Sequence, residues 1–155
     1  MIRLAILASA NGTNAQAIIE AVRAGKLDAD VAVVLTNKED AGVIERARKL
    51  GIPVEIVPSK GHRNRAEYDA LVVDTLKRNS VDTIALAGWM RILSEVFFNA
   101  YEGRILNLHP ALLPSFKGAT AIVDAYEYGV RITGCSVHLV TPELDAGPVI
   151  LQAAV

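Results

Sequence analysis

The sequence predicts an α/β protein with an open, mostly parallel, twisted sheet of about seven strands and helices on both faces. Two observations carry this. Short runs rich in Ile, Val and Leu alternate with amphipathic stretches along the chain, as expected of successive βαβ units with right-handed crossovers. The first of these runs is apolar throughout except for Arg3, which suits a strand buried on both faces.

Taken in order, 2–8 is the first strand. A helix follows over 14–24, with Ile18, Ile19 and Val22 on one face. The second strand is 31–36. In the helix 41–50, Val43, Ala47 and Leu50 fall at i, i+4 and i+7, and Gly51 stops it. The third strand is 54–57. The clearest helix is 65–79, where Tyr68, Leu71, Val72, Thr75 and Leu76 form a stripe. Strands 83–87 and 105–108 come next. A short helix over 120–128 ends at Gly129, and 132–140 and 149–154 read as two more strands. No repeat, low-complexity tract or linker interrupts this pattern, so 1–155 reads as a single domain. Ligands of such sheets bind beyond the carboxyl ends of the strands, where strand order reverses. Chemistry is therefore expected after residues 8, 36, 57, 87 and 108.

Composition narrows the function. A chain of 155 residues can bury about 70% of its surface. Apolar residues make up 52% and aromatics only 5%, which suits an aliphatic core better than a base-stacking surface. Lys plus Arg (16) balances Asp plus Glu (17), so nucleic acid is not an expected partner. The lone Cys135 excludes an internal disulfide and argues against a Cys-based metal cluster. No run of 18 apolar residues is present, and the first strand is too short for a signal peptide. The expected setting is the cytoplasm.

Four stretches can carry chemistry. The turn Ser9-Ala10-Asn11-Gly12-Thr13-Asn14 has a Gly that allows close backbone approach and two residues able to cap a helix. It reads either as an ordinary capped turn or as a phosphate site on free helix N–H groups. It is neither a P-loop nor a G-x-G-x-x-G motif. Gly88-Trp89-Met90-Arg91-Ile92-Leu93 follows a strand and suits either core packing with one solvated Arg or a flat, partly apolar ligand. In Asn107-Leu108-His109, residues two apart on an extended chain project to the same side. An amide there can donate to a developing oxyanion, and an imidazole can move a proton near neutral pH. On its own this motif is also what a stiff loop with a backbone-bonded His looks like. Thr141 to Pro148 holds Asp145 ahead of Gly147-Pro148. Asp145 reads either as a turn former or as a carboxylate that returns to the imidazole, fixes its tautomer and favours imidazolium. His138 reads as a structural histidine, His62 as exposed and Cys135 as a small buried hydrophobe.

Together the four stretches resemble the phosphoribosylglycinamide formyltransferases, a family of purine synthesis that uses 10-formyltetrahydrofolate. The carrying segments are LASANGTNAQAIIEA, LAGWMRIL, ILNLHPALLPSFKGA and GCSVHLVTPELDAGPVILQ, in that order. The resemblance spans the whole chain and implies a Rossmann-like formyltransferase fold. It implies that Gly12, Thr13 and Asn14 hold the substrate phosphate. Arg65, Met90, Arg91, Ile92, Leu93 and Asn107 would meet the folate, and Asn107, His109 and Asp145 would form the catalytic group. The implied co-substrate is 10-formyltetrahydrofolate, with no metal. The partners would be small molecules, with no membrane, and a homodimer is allowed. Two rival enzymes are a formyltetrahydrofolate deformylase, which would release formate without an amine, and a formyltransferase for another amine. A rival of another class is a folate-binding module that has lost turnover. Three departures from the family pattern stand out. Ala10 replaces a common Gly, and Thr120 replaces a usual His. Family members also continue beyond the position of Val155 with a segment that packs on the sheet.

Overall fold

A computed structural model describes residues Met1–Val155. The strands are β1 (Ile2–Leu7), β2 (Ala29–Thr36), β3 (Val54–Ile56), β4 (Thr83–Leu86), β5 (Ile105–His109), β6 (Gly134–Leu139) and β7 (Val149–Ala154). The helices are α1 (Thr13–Arg23), α2 (Val43–Lys49), α3 (Arg65–Arg78), α4 (Glu95–Tyr101) and α5 (Ala121–Tyr128). They build one seven-stranded sheet of order β3-β2-β1-β4-β5-β6-β7. The strands from β3 to β5 pair in parallel. β6 and β7 then join antiparallel. Strand order reverses between β1 and β4.

Alternate residues of each central strand feed two cores. Ala5, Leu7, Val33, Leu35, Ile84 and Leu86 pack with Tyr68, Val72 and Leu76 of α3 and with Phe97 and Tyr101 of α4. Leu4, Ile6, Val31 and Val34 pack with Ala15 and Ile19 of α1 and with Val43, Ile44 and Ala47 of α2. Each fully buried side chain of this size contributes roughly 1.5–3 kcal/mol. No fully buried member of either core lies beyond Ile105, and only the half-buried Val140 packs on the first from that side.

Four readings change. Leu71 lies at the surface, whereas Asp69 and Val73 of the same helix are buried. The other four residues of the expected stripe, Tyr68, Val72, Thr75 and Leu76, are buried, so the buried face is the expected one turned by about one residue. Helix α4 has no counterpart among the predicted elements. Cys135 and His62 are both half-buried, and the His62 ring bonds the Pro58 carbonyl at 3.1 Å. Strand β7 is exposed at all six residues. No helix is long and apolar enough to cross a membrane.

Candidate active site

Strands β1 and β4 are neighbours, so their carboxyl-end loops emerge together at the reversal of strand order. Ser9 N–H donates to the Gly88 carbonyl at 3.0 Å, and the Met90 amide donates to Ser9 Oγ at 3.0 Å. Beside this pair lies a cavity of about 420 Å³, a size usual for small-molecule sites. Its walls are the loop from Gly88 to Leu93, the end of β5 with Asn107 and His109, His138 of β6, and the loop from Thr141 to Asp145. Met90 and Ile92 are exposed, while Trp89 and Leu93 are buried. The guanidinium of Arg91 stacks over the Tyr68 ring at 4.4 Å.

β6 runs antiparallel to β5, with Asn107 opposite His138 and His109 opposite Ser136. The chain leaving β6 therefore heads away from the carboxyl end of β5. It returns because the 141–148 loop folds back against β6. Gly147 permits this fold, because a Cβ there would collide with the Leu139 carbonyl. Asp145 itself sits at φ 49, a region that costs a non-glycine residue of order 1 kcal/mol or more. The result places its carboxylate beside both imidazoles. Asp145 Oδ2 lies 3.5 Å from His109 Nδ1, Oδ1 lies 3.7 Å from His138 Nε2, and Oδ2 accepts the Gly118 N–H at 2.8 Å. Both histidines are almost wholly buried.

The hydrogen bonds fix the tautomers. His109 Nε2 lies 2.8 Å from the Phe116 carbonyl, which can only accept, so Nε2 carries hydrogen. Its Nδ1 then faces the carboxylate. His138 Nδ1 donates to the Leu139 carbonyl at 3.0 Å. In neutral His138, Nε2 is therefore an acceptor, and Asn107 Nδ2 donates to it at 3.1 Å. This orients the Asn107 amide and leaves its second N–H free to donate elsewhere. His138 is the residue that sequence reasoning assigned only a structural place. Its signal is the polar pair Ser136 and His138, two apart on β6, which matches Asn107 and His109 across the ladder.

The other predicted residues divide. Met90, Arg91, Ile92 and Leu93 line the cavity with Asn107, His109 and Asp145. Arg65 opens α3, is exposed and is not part of the lining. Gly12, Thr13 and Asn14 also lie outside it, at the start of α1. Gly12 has φ 77, and a Cβ there would approach the Val43 Cα to 2.8 Å, so only glycine fits. The first turn of α1 has no side-chain cap and no acidic residue. It adjoins a polar groove of about 440 Å³ whose walls include Asn11, Arg46 and the ion pair of Lys49 with Glu45 at 2.7 Å. Arg46 reaches the Asn11 carbonyl at 2.8 Å. Ala10 is not among the positive-φ residues, so it replaces glycine without backbone strain. Thr120 is exposed and turns its hydroxyl to Asp124 at 2.8 Å. No group of three or more His, Cys, Asp or Glu side chains is arranged to hold a metal ion.

Residues 2–155 match the family model described as formyl transferase. The chain belongs to the formyl transferase family. Among its relatives in that family is phosphoribosylglycinamide formyltransferase of Escherichia coli (strain K12), 44% identical over 152 residues that cover 98% of this chain and 72% of that protein. The protein of the same name from Bacillus subtilis (strain 168) is 38% identical over 155 residues, covering 100% of this chain and 80% of its own length. The human trifunctional purine biosynthetic protein adenosine-3 is 43% identical over 153 residues, or 99% of this chain, but the match spans only 15% of that longer protein. Among solved structures, glycinamide ribonucleotide transformylase 1 from Symbiobacterium toebii superposes with a TM-score of 0.98 at 43% identity, over 100% of this chain and 73% of its own. The formyl transferase fold is therefore shared along the whole chain.

Proposed function

We propose that this formyl transferase moves a formyl group from 10-formyltetrahydrofolate to the primary amine of 5'-phosphoribosylglycinamide, a step of purine biosynthesis. The observation that carries the reading is the cluster of Asn107, His109, His138 and Asp145 on one wall of a cavity whose other wall is the 88–93 loop. The names borne by its relatives support the choice of amine and of pathway.

In the reaction the amine nitrogen attacks the formyl carbon, a C–N bond forms and the carbonyl oxygen becomes an oxyanion. The free N–H of Asn107 and a protonated His109 stabilise that oxygen. The bond from the formyl carbon to N10 then breaks, and the proton lost by the amine passes to N10 with help from His109. Asp145 holds His109 by its Nδ1 edge and balances the positive charge. His109 Nε2 exchanges its Phe116 carbonyl partner for substrate, one hydrogen bond for another. Overall one proton passes from the amine to N10, one C–N bond forms as another breaks, and no oxidation state changes. The uncapped start of α1 at Gly12, Thr13 and Asn14, with Arg46 bonded to the neighbouring Asn11 carbonyl, suits the ribose phosphate. We read residues 1–155 as one formyltransferase domain and its setting as cytoplasmic, with small molecules as partners and a homodimer allowed. Arg65 would meet the distal end of the folate.

A spectrophotometric assay of the 155-residue chain with a 10-formylfolate donor tests this directly. Donor consumption only in the presence of the ribonucleotide is the expected result. Consumption without it would make the protein a deformylase. Folate-analogue binding without consumption would make it a binding module.

A further inference from the structure

The loop that forms one wall of the cavity is held in an unusual way. Residues 89–93 make no backbone-to-backbone hydrogen bond at all. Trp89 Nε1 and Arg91 Nε are buried without a partner. Two buried side chains outside the cavity lining tie the segment down instead. Near its start, Ser9 Oγ accepts the Met90 N–H at 3.0 Å. Just past its end, Asp69 Oδ2 accepts the Ser94 N–H at 2.7 Å.

Asp69 is wholly buried on α3. Its other oxygen has no partner, and no Lys, Arg or His lies within ion-pair distance of it. Core packing does not account for a carboxyl at this position, because burying a half-satisfied polar group is destabilising where an apolar side chain could fill the space. Nor is Asp69 needed to stop or start its own helix, since α3 runs on for nine residues beyond it. What Asp69 does is fix the point where the loop becomes α4, whose N-cap Ser94 makes no side-chain cap of its own. Ser9 is likewise 2% exposed and spends its hydroxyl on the loop.

We infer that Ser9 and Asp69 are positioning residues that clamp the 89–93 loop and so set the affinity of the cavity for the formyl donor. This rests on the formyl-transfer reading for the identity of the ligand, but not for the clamp itself. Neither residue touches the reacting atoms. A loop with no ladder of its own loses its shape when either anchor is removed, and small misplacements in a binding wall are costly.

Trp89 is the only tryptophan in the chain and lies in the loop, so its fluorescence reports on the clamp without any substrate. The experiment compares wild type with Ser9→Ala, Asp69→Ala and Asp69→Asn. Acrylamide quenching of Trp89 is measured first, and then the KM for the 10-formylfolate donor and for the ribonucleotide. Asp69→Asn keeps an acceptor oxygen for the Ser94 N–H. The expected result is at least about twofold stronger quenching in Ser9→Ala and Asp69→Ala, with donor KM raised roughly tenfold. The ribonucleotide KM and the turnover at saturating donor should change less than about threefold, and Asp69→Asn should recover most of the loss. A purely structural role would lower melting temperature and leave donor KM unmoved. Unchanged quenching in both Ser9→Ala and Asp69→Ala overturns the clamp, and Ser9→Ala alone decides it if Asp69→Ala does not fold. Increased quenching with unchanged donor KM overturns the link to donor affinity. Absence of wild-type turnover and of folate binding overturns the formyl-transfer reading and the donor assignment, while quenching still judges the clamp.

Discussion

Four side chains from two strands and one loop make the candidate site, and each has a separate reason to be where it is. Asn107 and His109 follow from the two-residue period of β5. Asp145 arrives because Gly147 lets its loop lie against β6. His138 orients the Asn107 amide by accepting one of its N–H groups. If His109 both stabilises the oxyanion and moves the proton, His109→Ala should lower turnover by about 10²–10³-fold, the usual cost of one preorganised donor. The melting temperature should stay close to wild type. Near wild-type turnover would end the catalytic assignment. Asp145→Asn should lower turnover as well, because the imidazole loses its charge partner, and steady-state kinetics at fixed pH checks it. Asn107, His109 and Asp145 were legible as residue types suited to acyl transfer. His138 was not, because its importance depends on strand register, and no single strand reveals which residue lies across the ladder.

At the scale of elements, α3 and α4 are the instructive pair. Helix α3 announces itself through Asn64, whose side chain accepts the Glu67 N–H at 2.9 Å, and through fourteen helical residues. Helix α4 has only seven, and EVFFNAY mixes a β-branched residue with aromatics, so propensity speaks weakly for it. Packing of Phe97 and Tyr101 against α3 decides the matter. The reversal at β6 was half-legible. The nine residues between β6 and β7 are too few for a parallel crossover, whereas β5 and β6 are separated by a helix and still pair antiparallel. Burial also leaves a titration mark on these helices. It pushes the phenol of Tyr68 well above its usual range, against the pull of Arg91 and with a further push from Asp69. It raises Tyr101 too, opposed by Arg104 and aided by Asp82. A raised pKa favours the neutral, protonated form in the fold. The stability is thus fully present below the unfolded value near 10 and falls as pH climbs above it. Melting temperature should therefore drop steeply above about pH 10. Tyr68→Phe should soften that slope without abolishing it, since Tyr101 remains. At neutral pH the variant should lose about 1 kcal/mol, because the Tyr68 hydroxyl donates to the Val57 carbonyl at 2.8 Å. An unaltered alkaline slope would show that Tyr68 does not carry the effect.

Over the whole molecule, the sheet class and most strands were readable from apolar runs, because a strand buried on both faces has little freedom in composition. The distribution of the core was not readable, since it depends on which helices cover which strands. Both buried clusters stop at Ile105, and β7 is exposed along its length. The β6–β7 half therefore opens more easily than the β1–β4 half. Amide hydrogen exchange should be faster in β6 and β7 than in β1 and β4 by an order of magnitude or more. Equal protection across the sheet would refute this uneven stability.

The cavity spans that divide. One wall belongs to β4 and its loop, rooted in the first core, and the other to β6 and the returning loop with Asp145. Whatever fills it bridges a firm half and a yielding one, as a keystone joins two sides of an arch. A bound donor at a hundred times its Kd would add about 2.7 kcal/mol to the opening free energy of every segment whose opening destroys the site. The gain would appear in the β6 amides, far more than in strands already locked by their own side chains.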